Sequence, residues 1–188
     1  MVGLGDLPGG EEGSVAYGVS ADGSVIVGTA DSASGLWEAF RWENGVMTGL
    51  GEGPRGGFDT SAYSVSGDGS VIVGIEGQWA YVMHPIMTGR AFIWDADNGM
   101  RDLSDVLEND YGLDVTGWIL GEPVGISADG LTIIGNGLNP NGHLEGWVAT
   151  IPEPGTFLLL ALGGLALGVR RVQDGLSRGQ RGLGRGRA

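Results

Sequence analysis

Short runs of alternating apolar and polar residues, each closed by an Asp-Gly or Asn-Gly pair, fill the first 150 positions. Residues 16–28 read AYGVSADGSVIVG, residues 62–74 AYSVSGDGSVIVG and residues 124–135 VGISADGLTIIG. A period of two puts every second side chain on the same face of a strand. Asp-Gly between β-branched runs predicts a tight hairpin, because Gly23, Gly69 and Gly130 can take positive φ without strain. The turn aspartates Asp22, Asp68 and Asp129 recur at offsets of 46 and 61. A second apolar element follows each hairpin: WEAFRWENGVM at 37–47, RAFIWDADNGM at 90–100 and a degenerate LEGWV at 144–148. Asp22 to Phe40 and Asp129 to Trp147 both span 18 residues, whereas Asp68 to Phe92 spans 24, which places a six-residue insertion within Gln78–Gly89. Asn44-Gly45 and Asn98-Gly99 turn the chain into one more short strand.

The expected fold class is therefore all-β. It is a repeat of about three four-stranded units, each close to the ~40–45 residues of a propeller blade. The repeat domain is expected over 1–150, with units at roughly 3–48, 49–101 and 102–150. Tyr17, Val19, Val25 and Val27 form one apolar strand face, matched by Tyr63, Val65, Val71 and Val73. Phe40, Trp42, Phe92 and Trp94 are the large anchors, each contributing about 1.5–3 kcal/mol or more on burial. A closed propeller needs four or more blades, so three form an incomplete set with open edges. One segment breaks the β pattern. In Asp102–Gly112, Leu103, Val106 and Leu107 follow helical spacing, Asp102 or Ser104 can cap the start, and Gly112 can end it.

The pattern changes at Ile151. Pro152-Glu153-Pro154 leads into an uncharged run of fifteen residues, Gly155–Val169, which ends on Arg170-Arg171. Phe157, Leu158, Leu159, Leu160, Leu162, Leu165, Leu167 and Val169 together favour membrane insertion by about 2–5 kcal/mol. A surface helix would carry polar residues at helical spacing within the run, and this one has no charge or amide. The prolines mark its start, and the arginines fix its orientation with their charges in the cytoplasm. The competing reading is a buried core helix. The charged boundary and the complete domain before it favour a transmembrane helix. Its length is about 22 Å, against about 30 Å of hydrocarbon, which suits a transit signal better than a permanent anchor.

The order Pro-Glu-Pro, apolar helix, basic pair resembles the PEP-CTERM sorting signal of Gram-negative bacteria. The likeness covers 151–172, and an Arg/Gly-rich tail, expected to be disordered, follows over 173–188. It implies recognition by an exosortase, an integral-membrane sorting enzyme, with cleavage near Pro152-Glu153-Pro154. It also implies the inner membrane in transit and the cell surface or extracellular space as destination.

The repeats resemble a second family, the HAF repeat, named for His-Ala-Phe. The triplet stands here as Glu38-Ala39-Phe40 and Arg90-Ala91-Phe92, followed by Trp42 and Trp94, and the histidine is absent from both copies. The resemblance implies a β-propeller-like extracellular repeat without a defined activity. Val2-Gly3-Leu4-Gly5-Asp6 is similar to Thr48-Gly49-Leu50-Gly51-Glu52, so the chain is expected to begin inside a repeat. Met1 is followed by no basic or apolar signal region. The expectation is that the assigned start lies downstream of the true one, with a signal peptide and earlier repeats before it.

Charge and composition narrow the partners. Residues 1–150 carry 21 acids and 4 arginines, whereas residues 151–188 carry 2 acids and 6 arginines. An acidic body repels phosphate backbones, which argues against nucleic acid. There is no cysteine and no lysine, and 39 of the 188 residues are glycine. The absence of cysteine excludes disulfides and thiolate chemistry, and the glycine content fits many tight turns. No nucleophile, phosphate-loop or zinc-protease motif occurs, so no catalytic residue, metal site or cofactor is assigned. Ser20, Ser66 and Ser127 precede their turn aspartates by two positions, and turn hydrogen bonding explains them better than nucleophilic chemistry. Asp95-Ala96-Asp97-Asn98-Gly99 has some character of a calcium loop but fails its spacing, and a hairpin turn is the favoured reading. His84 and His143 fall in loops and are read as solvated surface. Trp79 and Tyr81 in the insertion are the candidate glycan contacts.

The leading expectation is a non-enzymatic, exported envelope or extracellular-matrix protein with a structural or adhesion role. Its partners would be an exosortase, the membrane and extracellular polysaccharide. A glycan-binding surface module is the alternative, and a hydrolase with paired carboxylates comes third.

Overall fold

The computed structural model describes residues 1–10, 13–77 and 89–153. They form an all-β unit of three small antiparallel sheets with little helix. The first sheet is a meander of β1 (Ser14–Val19), β2 (Val25–Asp31), β3 (Trp37–Glu43) and β4 (Val46–Gly49). The second repeats it with β5 (Asp59–Val65), β6 (Val71–Gly77), β7 (Arg90–Asp95) and β8 (Gly99–Asp102). The third has three strands among the described residues: β9 (Ile119–Ile126), β10 (Thr132–Leu138) and β11 (Leu144–Thr150). No Asn-Gly follows Trp147 to turn the chain back, and the proline after Ile151 has no N–H to give to a fourth strand.

The same local chemistry builds each sheet. At the first turn Gly23, Gly69 and Gly130 take φ of 74°, 75° and 75°, as the Asp-Gly pairs require. In the middle strand of each sheet a glycine lies directly across from a large aromatic: Gly28 opposite Phe40, Gly74 opposite Phe92, Gly135 opposite Trp147. A Cβ on any of the three would run into that ring and into a backbone carbonyl of the preceding strand. The bare backbone is what lets the ring lie flat across the sheet. Each first strand also carries a bulge at the equivalent residue, Tyr17, Tyr63 or Val124. A bulge adds twist, and these three recur in register with the repeat.

The sheets stack in chain order, and the central strands of the first two bury residues on both faces. Val25, Val27 and Ala39 pack forward onto Ala62, Val65, Ile72 and Phe92 of the second sheet. From there Val73, Ala91 and Ile93 pack forward onto Leu120, Ile133 and Trp147 of the third. Behind the first sheet, Leu4 and Leu7 close over Ala30, Phe40 and Met47. Polar bonds also cross between sheets. The Thr29 hydroxyl donates to the Thr60 carbonyl at 2.9 Å, and the Thr60 hydroxyl accepts from the Ala39 N–H at 2.8 Å. The turns are tied by backbone bonds from Ala21 N–H to the Gly67 carbonyl (3.0 Å) and from Gly67 N–H to the Ala128 carbonyl (2.9 Å).

The expected helical break is present. Helix α1 (Leu103–Asp105) runs on into a π-helical turn, Val106–Asp110. Asp102 caps it by accepting from the Ser104 and Asp105 N–H groups, and Gly112 leaves it at φ 66°. Leu103, Val106 and Leu107 are buried with the third sheet's core. Two strand-face expectations need correction. Tyr17 and Val19 are exposed, although their equivalents Tyr63 and Val65 are half-buried and buried. Val65 packs against Val25 and Val27 of the first sheet, whereas no sheet among the described residues precedes β1 to cover Val19; Tyr17 keeps an edge contact with the Tyr63 ring at 5.1 Å.

The ring-over-glycine arrangement makes a direct prediction. Gly74→Ala should lower unfolding stability by about 3 kcal/mol or more, since the new methyl meets the Ser61 carbonyl and the Phe92 ring at once. Gly45→Ala changes a positive-φ glycine with open space around it, and should cost only about 1 kcal/mol in the same urea titration.

Candidate functional site

The end of the folded unit is set by three residues. The β10–β11 ladder runs from Leu138 opposite Leu144 to Thr132 opposite Thr150. One further bond extends it, from the Ile151 N–H to the Leu131 carbonyl at 2.7 Å. Along β11 the inward positions Trp147 and Ala149 alternate with outward Val148 and Thr150, and Ile151 continues the inward series. Among the described residues, Ile151 is thus the last side chain in the core. Pro152 is half-buried and Glu153 is exposed, so the Pro-Glu-Pro motif starts where both core packing and backbone pairing stop. Contacts divide the chain at the same point, into Met1–Ile151 and Pro152–Ala188.

The rest of the expected sorting segment lies outside the described residues: Pro154, the apolar positions Phe157 to Val169, and Arg170 and Arg171. No helix among the described residues is long and apolar enough to cross a membrane. Trp79, Tyr81 and His84 also lie outside the described residues.

Residues 150–172 match the PEP-CTERM protein-sorting motif. The matched stretch spans the Pro-Glu-Pro, the apolar run and the arginine pair. A motif of this kind supports an exported protein that is processed by an exosortase, a membrane enzyme, and passes through the membrane to the surface or beyond. No curated protein matches the chain. Among solved structures, "The structure of putative TolB from Agrobacterium tumefaciens" matches with a TM-score of 0.45 and 12% identity. The match covers 74% of this chain and 52% of that one, so the chain spans about half the length of its neighbour. That likeness is too slight to fix either fold or function.

The serine-aspartate pairs are turn hardware. Ser20 donates to Asp22 at 2.7 Å and accepts from the Val25 N–H at 3.0 Å. Ser66 does the same with Asp68 (2.6 Å) and the Val71 N–H (3.0 Å), and Ser127 with Asp129 and the Thr132 N–H. Each hydroxyl therefore spends both its donor and an acceptor on closing its hairpin. The bonds act on the aspartates in turn. Asp22 is held down to about 2, first by the Ser24 N–H and then by the Ser20 and Ser24 hydroxyls. Asp68 is also held to about 2, by the Ser66 hydroxyl and then the Ser70 N–H. Asp129 is lowered, chiefly by the Ser127 hydroxyl.

Asp95 occupies the hairpin from β7 to β8. Its Oδ1 accepts from the Asp97 and Asn98 N–H groups at 3.0 and 2.8 Å, and its Oδ2 meets Arg101 at 3.2 Å. Burial raises its pKa, but the Asn98 and Asp97 bonds and the Arg101 charge outweigh burial and leave it lowered. With its oxygens engaged in this way, Asp95 serves the turn rather than an ion. Among the described residues no group of three or more acidic or histidine side chains is placed to hold a metal. His143 lies in the β10–β11 loop, where its N–H donates to Asn139 Oδ1 at 3.0 Å.

Ile151 heads the sorting segment, as the sequence suggests, and is also part of the core, which the sequence reading does not assign it. The signal was available: Trp147, Ala149 and Ile151 continue one period-two series.

Acid should act through the turns. The folded chain binds protons at Asp22 and Asp68 less tightly than the unfolded chain does, so protonation favours unfolding. Their contribution is complete above the unfolded value of about 3.9 and disappears as pH falls toward about 2. Urea midpoints should fall between pH 4 and pH 2. Asp22→Asn/Asp68→Asn should flatten that slope, and an unchanged slope in the double variant would exclude the turns as its source.

Proposed function

We propose that the chain is a non-catalytic, exported envelope or matrix protein whose last segment hands it to an exosortase. One observation carries this reading: the sorting-motif match begins at Thr150 and Ile151, where the described residues make their last backbone bond. The order of events follows from the residues. Ile151 fixes the domain's end in its own core. Pro152 and Pro154 cannot donate to a ladder, so the chain leaves as an extended segment in which Glu153 is exposed. The apolar run from Phe157 to Val169 halts as a transmembrane helix, and Arg170 and Arg171 hold its far end in the cytoplasm. The Pro-Glu-Pro then stands at the outer face, within reach of an integral-membrane transpeptidase-like enzyme.

The domain delivered in this way is read as a set of HAF-type repeats in a propeller-like arrangement with a structural or adhesion role. Three observations support that reading: the stacked antiparallel meanders, the shared register of Gly28–Phe40 and Gly74–Phe92, and the turn serines being consumed by their hairpins.

Mass spectrometry of the mature C-terminus in the native host tests the proposal. The expected product ends at or near Pro152-Glu153-Pro154 and has lost Arg170 and Arg171. In a Pro152→Ala/Glu153→Ala/Pro154→Ala variant the full-length chain should build up in the membrane fraction, with the surface fraction reduced about tenfold or more. A mature protein that keeps its arginine tail would mean a permanent anchor instead.

A further inference from the structure

Two tyrosines meet where the first sheet joins the second, and the backbone sets the meeting. Tyr17 in β1 and Tyr63 in β5 are the bulged residues of their strands, so each side chain leaves the regular pleat at the same place in its repeat. At the next residue the two strands come as close as bare backbone allows. A Cβ on Gly18 would meet the Tyr63 carbonyl oxygen at 3.0 Å and the Ser64 Cα at 3.3 Å. The two rings stand edge-on, with centroids 5.1 Å apart and planes at 70°. The junction of the second and third sheets lacks such a pair, because the equivalent bulged residue there is Val124.

Edge-on packing needs only the rings, which phenylalanine would supply; the phenols add a group that can be oxidised. Tyr63 has a sheet on either side and is still only half-buried, so the pair is open to solvent where the repeat is complete. Burial, then the Glu122 charge and Tyr17, push the Tyr63 phenol up to about 12, and burial also raises Tyr17. Both rings therefore carry their protons at neutral pH, and removing an electron from either also releases a proton.

We propose that Tyr17 and Tyr63 form an oxidative cross-linking site, at which a haem peroxidase supplied with hydrogen peroxide couples the two phenols into dityrosine. Each phenol loses one electron and one proton and becomes a phenoxyl radical. A carbon–carbon bond then forms between the two ring carbons ortho to oxygen. The hydrogen on each of those carbons passes through solvent to a phenolic oxygen, which restores both aromatic rings. Peroxide takes up the two electrons and two protons and leaves as two waters. Aromatic χ2 torsions are soft, so the rings turn into the coupling geometry without leaving their strands. The new bond ties β1 to β5 across 46 residues of a chain that has no cysteine, and restricts the unfolded chain as a disulfide would. This inference rests on the ring pair alone and stands apart from the sorting reading.

The test treats the purified full chain, dilute and in mild detergent, with a haem peroxidase and hydrogen peroxide. Dityrosine fluorescence should appear in single chains. Cleavage after arginine should give residues 1–41 joined to residues 56–90, two hydrogen atoms lighter than the separate peptides together. Residues 56–90 also hold Tyr81, so the link is assigned in a Tyr81→Phe background. Tyr17→Phe and Tyr63→Phe keep the ring and its packing, and each should abolish the joined peptide and lower the fluorescence yield by about tenfold or more. Unfolding in urea before oxidation should lower the yield by about the same factor, since the fold supplies the proximity. Oxidation that gives no joined peptide, or a yield that Tyr17→Phe or prior unfolding leaves unchanged, would overturn the proposal. Dityrosine found only between chains would overturn it equally.

Discussion

Sheet-on-sheet packing is the constraint on which the rest of this molecule depends. A three- or four-stranded meander is too small to bury a core of its own. Its middle strand is apolar on both faces, as Val25-Ile26-Val27 and Val71-Ile72-Val73 are, and each face needs a neighbouring sheet. Period-two alternation usually separates a wet face from a dry one. Here it divides two dry faces between two partners, so stability belongs to the interfaces as much as to the sheets. The glycines at 28, 74 and 135 serve that arrangement. By letting Phe40, Phe92 and Trp147 lie across the backbone, they keep each sheet thin enough for its neighbour to approach.

Polar chemistry is used to hold the repeat together. Nearly every named hydroxyl or carboxylate is committed to a turn, a cap or a sheet junction: Ser20 with Asp22, Asp102 over α1, Thr29 with Thr60. Glu76 is buried, yet its oxygens take the Arg55 N–H at 3.0 Å and the Arg55 guanidinium at 3.4 Å, which clamps the loop after the first sheet onto the second. Side chains engaged in this way are poor starting points for catalysis, because chemistry would first have to break the bonds that close the hairpins. The depressed aspartate pKa values have the same origin. They report hydrogen bonds within exposed turns.

Much of this was legible in the chain. Asp-Gly and Asn-Gly pairs placed the hairpins, and the spacing of Leu103, Val106 and Leu107 with Asp102 and Gly112 placed the helical break before the third sheet. What escaped reading was burial that depends on a neighbour. Val19 and Val65 sit in near-identical strings, AYGVSADG and AYSVSGDG, yet one is exposed and the other buried. No local pattern could separate them, because the difference lies in whether a sheet precedes them. That the third sheet has three strands among the described residues was half-legible, since Trp147 is followed by no Asn-Gly. The burial of Ile151, which also lies within the matched sorting motif, escaped for a related reason. A residue beside Pro-Glu-Pro reads as linker until its period-two phase with Trp147 is counted.

The two ends of the chain's function meet at that isoleucine. A sorting segment works only if the enzyme can reach it, and a repeat domain holds together only if its last strand stays paired. Ile151 separates the two demands by one residue. Its N–H completes the ladder and its side chain completes the core, and the following proline can do neither. Moving the boundary inward would strip Trp147 and Ala149 of their cover. A proline immediately after the last core residue is thus a structural stop that also begins the segment the sorting enzyme must grip.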